Sequence, residues 1–584
     1  MKSIHCLEAA LNHHPAAWRN PAPGIAVILV LAVCHSSGLA QANQITPIGI
    51  GVAGQVHAVT YDPDHPDIIY VGGDQFGVFV TYDGGGNWAP FNRGLVDPEN
   101  GRAFYVDDLL FVRDAEGNDE IIDDREGLYA ATRGGIYFRA DGDPEWVLKT
   151  DHERYSYYER TARNISDGKQ PPSARPIEFS CFCYDSQNGK IYAGAGSARW
   201  YGPGDTKYYY EYFPTVGRGS AGNEFQGYGG RNAAYWNQDL GSHVQYSLWT
   251  LDVANPLPGD PTSADEWRPV DDPGTGAPLI LGNVRRLAYK QNIDGSYYIA
   301  AACQDGFWGY DSAEQSWRNL EPDPQDKTGY LAMLWPGNYW DVQFGSGATL
   351  YALQMNPLTH DPSLHSSVCT YDFINHGWDV YAPDDAVVDG AGGIWLDRLI
   401  NTGFELTRLT VIPDPIDGGD LVLVGQRNNY IDDYQSGAVG YYLHKSGCGG
   451  QWVHVLGMVG ALNADEYYYY SNLGGQYCDF SYVSMTNEIG WLYNDQIYPT
   501  VPLTVCPGHP DHMIAWLCDR PVISADSGET WSQAYCTSAG GGWTSRGLNE
   551  MAVNSLDISD TGSTSGRIAV GASVSFPISR TGDK

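Results

Sequence analysis

Ser524-Ala525-Asp526-Ser527-Gly528-Glu529-Thr530-Trp531 decides the fold, together with its earlier echo Thr81-Tyr82-Asp83-Gly84-Gly85-Gly86-Asn87-Trp88. Both read Ser/Thr-x-Asp-x-Gly-x-Thr/Asn-Trp, and both follow a short apolar run. The chemistry of such a turn is local. Its aspartate accepts hydrogen bonds from the turn's own N–H groups, glycine supplies a positive φ, and tryptophan packs back under the hairpin. Asp83, Trp88, Asp526, Gly528 and Trp531 are therefore expected to be structural.

Around the earlier copy lies a complete unit. Val56-His-Ala-Val-Thr-Tyr-Asp-Pro63 is followed by a turn at Asp64-His-Pro-Asp67, then Ile68-Ile-Tyr-Val-Gly72, Val78-Phe-Val-Thr81 and Trp88-Ala-Pro-Phe91. Four short strands of this kind make one propeller blade. The pattern recurs with decay from Leu109, Phe179, Val284, Trp340, Leu406, Leu503 and Val553, so the count is about eight. The last unit reaches Ser579-Arg-Thr-Gly-Asp-Lys584 before any tryptophan. Either Gln44-Ile-Thr-Pro-Ile-Gly-Ile50 supplies the outer strand that closes the ring, or further blades are missing.

Composition agrees with an all-β propeller. Helical periodicity is scarce, and 70 glycines with 34 prolines suit many tight turns. The formal charge of −36 argues against nucleic acid or an anionic membrane as partner. Gly24-Ile-Ala-Val-Ile-Leu-Val-Leu-Ala-Val-Cys34, with Lys2 and Arg19 upstream and Gly38-Leu39-Ala40 downstream, reads as a signal peptide over 1–40. That leaves 41–584 as the propeller, secreted or periplasmic, and no later run is long enough to span a membrane. Bridges among Cys478, Cys506, Cys518 and Cys536 are plausible in such a compartment, whereas Cys181 and Cys183 share a strand face and should not pair with each other. No motif calls for a cofactor or a metal; acidic turns such as Asp141-Gly-Asp143 lack calcium-loop spacing.

The repeated turn resembles the Asp-box of sialidases, sortilin-type receptors and xyloglucan-cleaving endoglucanases. In those propellers the boxes sit on C–D turns, so ligands are expected at the B–C turns on the other side. Those turns carry Asp74, Arg133, Arg199, Asp305, Arg427, Asp519 and Arg520, with Phe76, Trp200, Tyr201 and Trp308 beside them. Two aromatic-rich insertions, 198–245 and 456–499, open on the same face, and loops of that length are usually functional.

Ile69-Tyr-Val-Gly-Gly-Asp74-Gln-Phe-Gly-Val-Phe79 is similar to the xyloglucanase-type segment whose Asp is the general base, which implies that role for Asp74. The acid partner of that family comes from a second propeller, not found in this sequence; Asp305 and Asp519 stand in comparable segments. An inverting glycosidase needs its two carboxyls roughly 6.5–9.5 Å apart. The expectation is a carbohydrate-directed protein resembling glycoside hydrolases, with a polysaccharide or glycan as partner. The alternatives are a non-catalytic propeller holding a peptide or protein, and a sialidase-like hydrolase using Arg133, Arg427 and Arg520, although the sialidase Phe/Tyr-Arg-Ile-Pro segment is missing.

Overall fold

In the computed structural model the chain divides into Met1–Gly49 and Ile50–Lys584. The described residues are 56–73, 76–96, 102–113, 125–150, 156–157, 175–176, 178–195, 233–237, 242–254, 267–277, 279, 281, 284–303, 306–320, 339–354, 367–380, 387–388, 394–395, 405–413, 419–427, 438–444, 452–460, 467–471, 501–517, 520–528, 531–534, 536–539, 542–547, 553–559 and 567–572. All of them fall in the second unit.

Six four-stranded antiparallel blades are present among these residues, where the sequence counts about eight. Their innermost strands are Val56–Asp62, Val106–Val112, Phe179–Asp185, Val284–Gln291, Tyr339–Phe344 and Val501–Cys506. A further sheet, sixth in chain order, has seven strands. It contains a four-strand meander, Glu405–Pro413, Asp420–Arg427, Ala438–His444 and Trp452–Gly460. Added to this are Val387–Val388, Ile394–Trp395 and Tyr467–Ser471. The seven sheets are numbered below in chain order, so sheets 1 to 5 and 7 are the blades.

The neighbour relations of the seven innermost strands are circular, with that of sheet 7 lying against that of sheet 1. The eighth sequence unit forms a two-stranded pair, Val553–Ser559 with Arg567–Ala572. One hairpin reproduces half the blade pattern, and the residues that follow it, 573–584, lie outside the described residues. Gln44 to Ile50 lie outside the described residues. The first insertion contains a hairpin, Ala233–Asn237 with Ser242–Tyr246, and the second contributes Tyr467–Ser471 to sheet 6, whose outer strand runs on to Gly460.

Five of the wedges between neighbouring sheets hold their own apolar cores among the described residues. One joins Val56, Ile69, Val71 and Trp88 of sheet 1 to Cys506 and Ile514 of sheet 7. Others lie between sheets 1 and 2, 2 and 3, 3 and 4, and 4 and 5. A sheet packed on both faces needs apolar residues throughout its inner strands, and Gly127–Thr132 is buried at all its positions. The spacing is tight near the channel: a Cβ at Gly72 would sit 2.5 Å from Val106 Cγ1 of the next sheet.

The two repeated turns are built alike. Thr81 Oγ1 and Ser524 Oγ donate to Asp83 and Asp526 Oδ1 (2.9 and 2.8 Å) while accepting from the N–H of Gly85 and Gly528, both at 2.9 Å. Two consecutive positive-φ residues follow the aspartate, Gly84 and Gly85 in one turn, Ser527 and Gly528 in the other. Burial opposes ionisation of Asp83, but hydrogen bonds from Asn87, Thr81 and Gly86 outweigh it and hold the carboxyl below its ordinary range. In sheets with a decayed motif the aspartate persists: Asp252, Asp311 and Asp372 each accept a backbone N–H two residues on.

The tryptophan staples sheets together. Trp88 Nε1 donates to Ala534 O of sheet 7, Trp146 Nε1 to Phe91 O beside sheet 1, and Trp378 Nε1 to Leu320 O beside sheet 4. Trp531 instead bonds Gly528 O of its own turn.

Candidate functional site

In an antiparallel meander the B–C turn lies at the end where strand A begins. Val56 pairs with Gly73 and Val106 with Thr132, so entering chain and B–C turns share one face. The Asp83 and Asp526 turns are at the other end, where Gly84 N donates to Asp67 O and Ser527 N to Asp511 O of the A–B turns.

The inner strands share a local device. Register shifts fall after the first residue of strand A in sheets 1 to 5, at Val56/Ala58, Val106/Asp108, Phe179/Cys181, Val284/Arg286 and Tyr339/Asp341. A bulge turns two successive side chains out of alternation. Here His57, Ser180 and Arg285 reach sideways to the next sheet, while Asp108, Arg286 and Asp341 line the channel.

The sideways residues form a rim at the B–C end. His57 Nδ1 lies 3.0 Å from Asp107 Oδ1 of sheet 2. Asp107 Oδ2 is 3.9 Å from Nε of Arg133, whose guanidinium lies over the Tyr105 ring at 4.2 Å. Ser180 Oγ donates to Val284 O at 2.5 Å, and Arg285 Nη1 to Tyr339 O at 3.4 Å.

Below the rim is a cavity of about 580 Å³ lined by residues from the innermost strands of all seven sheets, among them Val59, Asp108, Cys183, Arg286, Asp341, Thr410 and Thr504. It is the central channel. Arg286 bridges two carboxylates, with Nη1 3.2 Å from Asp108 Oδ2 and Nε 4.0 Å from Asp341 Oδ1. Each carboxylate also reaches the following sheet: Asp108 Oδ2 accepts from Phe182 N at 2.8 Å, and Asp341 Oδ2 from Leu409 N at 3.1 Å. Further round, Thr410 Oγ1 donates to Leu503 O and Thr504 Oγ1 to Val59 O.

Burial pushes Asp341 up to about 6, against the Arg286 charge and the Leu409 and Val342 N–H groups. It raises Asp108 too, against Arg286 and Phe182 N–H. For Arg286 burial works against the charge, but Asp108, Asp341 and Cys181 more than restore it. The triad therefore ties five adjacent sheets, 2 to 6 with sheet 4 at the centre, through a buried cation and its anions.

The sequence candidates are distributed unevenly. Asp74, Asp305 and Asp519, with Arg199, Trp200 and Tyr201, lie outside the described residues. Arg133 stands at its B–C turn, buried and engaged by Tyr105 and Asp107. Phe76 is buried against Phe79 in the core shared by sheets 1 and 7. Trp308 packs partly buried against the core between sheets 3 and 4. Arg427 ends strand B of sheet 6 and Arg520 begins strand C of sheet 7. Asp141 is ion-paired to Arg113 at 2.7 Å. Cys181, Cys183 and Cys506 carry free thiols, so Cys506 makes no bridge.

His57, Asp107, Asp108, Arg286 and Asp341 escape a turn-based reading because they sit inside strands. The available signal was charge at the second and third positions of an otherwise apolar inner strand.

No family model matches the chain, and no curated protein matches it. Among solved structures it is similar to an ancestral GH74 enzyme, with 16% identity and a TM-score of 0.45 over 88% of this chain and 51% of that one. It is also similar to the GH74 xyloglucanase from Xanthomonas campestris (13%, TM-score 0.35, 84% of this chain and 68% of that one). A third is YCF48 from Cyanidioschyzon merolae (10%, TM-score 0.31, 82% and 96%). The chain spans about half the length of the first of these. Likeness of this degree carries no argument about family or activity.

Proposed function

We propose that the chain is an exported, carbohydrate-directed propeller that receives a polysaccharide at its B–C face, with Asp74 as general base and Asp305 or Asp519 as the second carboxyl. The observation that carries this reading is the shared face. The B–C turn of sheet 1, between Gly73 and Phe76, opens where the His57–Asp107–Arg133–Tyr105 rim begins. A neutral, hydroxyl-rich ligand suits a chain of net charge −36 better than an anionic one, since long-range repulsion is absent. The engagement of Arg133 by Asp107 and Tyr105 counts against a sialidase-type arginine cluster. The channel carboxylates are held by Arg286 and backbone N–H groups, so they serve the scaffold and leave acid–base chemistry to the turns.

The test is reducing-end release from xyloglucan and β-glucans by the wild type and by Asp74→Asn, with binding of the same glycans followed by calorimetry. The expected outcome is hydrolysis lowered by about 100-fold or more in the variant, the scale of general acid–base catalysis, with binding retained. Binding without hydrolysis in the wild type would leave a non-catalytic module. Neither binding nor hydrolysis would overturn the carbohydrate reading and favour a protein or peptide partner.

A further inference from the structure

The A–B turns of sheets 1 and 7 are two copies of one design, and they differ where it matters for metal chemistry. In sheet 1, Asp62 pairs with His65 and Tyr61 with Ile69, leaving Pro66, Asp67 and Ile68 as a bulge. In sheet 7, Cys506 pairs with His509 and Val505 with Met513, leaving Pro510, Asp511 and His512. His-Pro-Asp-Ile in one copy is His-Pro-Asp-His in the other. Both bulges dock identically, Asp67 O accepting from Gly84 N at 2.9 Å and Asp511 O from Ser527 N at 3.0 Å.

The surroundings then diverge. In sheet 1, Ile68 packs partly buried against the core between sheets 1 and 2. Arg113 from sheet 2 fills the polar side, ion-paired to Asp62 and Asp64, both at 3.0 Å. In sheet 7 the residue aligned with Asp62 is Cys506, and a second imidazole replaces the isoleucine. His509, Asp511 and His512 each offer a donor atom, and these atoms lie within 4.8 Å of one another. His512 Nδ1 is 3.3 Å from Asp511 Oδ1, and the His509 and His512 rings are 5.9 Å apart and nearly perpendicular.

We propose that His509, Asp511 and His512 form a binding site for a borderline divalent transition ion such as Zn²⁺. Two imidazoles and a carboxylate select such ions over calcium or magnesium, which prefer all-oxygen sets. Bonds of about 2.0–2.2 Å to each donor require the three to close by an ångström or two, and partly exposed side chains can make that movement. The backbone frame is already set by Gly508 at φ 75°, by Pro510 between the first two ligands and by the hydrogen bond from Ser527. Water fills the remaining positions. Bound metal would clip the A–B turn shut beside the Ser524–Trp531 turn.

The internal copy supplies the control. Metal-free full-length protein is titrated with ZnCl₂ by calorimetry, and its thermal midpoint is measured with and without the ion. Wild type should take up one ion at this site and gain thermal stability from it. His512→Ile, which installs the residue that sheet 1 carries at this place, should lower affinity by at least about tenfold and abolish the stability gain. His65→Gln in sheet 1 should change neither. The metal-free midpoint of His512→Ile reports whether the variant is folded, and His509→Gln repeats the test with a smaller change in packing. Zn²⁺ binding that survives both His512→Ile and His509→Gln, its loss on His65→Gln, or no binding by the wild type would overturn the proposal.

Discussion

The Asp83 and Asp526 turns and the channel wall both rely on aspartate, but in opposite ways. At the turns each carboxylate is satisfied within a few residues of its own chain, by Thr81 and Asn87 in one case and Ser524 in the other. In the channel Asp108 and Asp341 each take one bond from the next residue's N–H, but their other partners are 55 to 178 positions away along the chain: Phe182 and Arg286 for the first, Leu409 and Arg286 for the second. Local satisfaction shapes a hairpin and repeats with the sequence. Long-range satisfaction can form only once the ring has assembled, so it reports on ring integrity.

Disruption should therefore be larger in the channel than at the turns. Arg286→Met removes the buried cation and leaves two carboxylates facing each other in the wall. The expected loss is about 3–5 kcal/mol of unfolding free energy, read by chemical denaturation; a loss below that of the turn variants would break the comparison.

The second effect depends on pH. Asp341 titrates near 6 in the folded chain, against about 3.9 when unfolded. Between those values the folded state holds the extra proton, so stability falls as pH rises from about 4 to 6, by on the order of 2 kcal/mol. Asp341→Asn should flatten this part of the profile. A profile unchanged by the substitution would mean that Asp341 ionises normally.

The smallest effect is expected at the staple. Trp88→Phe keeps the ring but removes the donor to Ala534 O, costing about 1–2 kcal/mol. The thermal midpoint should drop modestly, and Trp531→Phe should behave similarly while leaving sheets 1 and 7 joined. Equal effects of Trp88→Phe and Arg286→Met would contradict the division between local and ring-spanning contacts.

The same division explains what could be read from sequence. Turn chemistry is encoded within eight residues, so the motif at Ser524 to Trp531 exposes the blade, its strand order and the face opposite its own. The strands around Val56–Asp62, Lys190–Ala195 and Leu350–Leu353 follow from apolar runs alone. Blade number does not, because the hairpin at Val553–Ala572 looks like half a unit and sheet 6 recruits strands from segments on either side of its meander. The Asp108–Arg286–Asp341 triad was illegible for a physical reason: its partners are brought together only by ring closure. Arg133 stands on a turn between two strands of sheet 2, yet nothing in its local sequence announces that Tyr105 and Asp107 already hold it.

The most direct test of the account is a hydrogen-exchange footprint of the full-length protein with and without xyloglucan oligosaccharides. Protection confined to the B–C face, at the turn between Gly73 and Gly77 and at Thr132 to Gly135, with no change at Asp83 to Trp88 or Asp526 to Trp531, is the predicted result. Protection centred on those latter turns, or none anywhere, would contradict the assignment of the B–C face as the carbohydrate site.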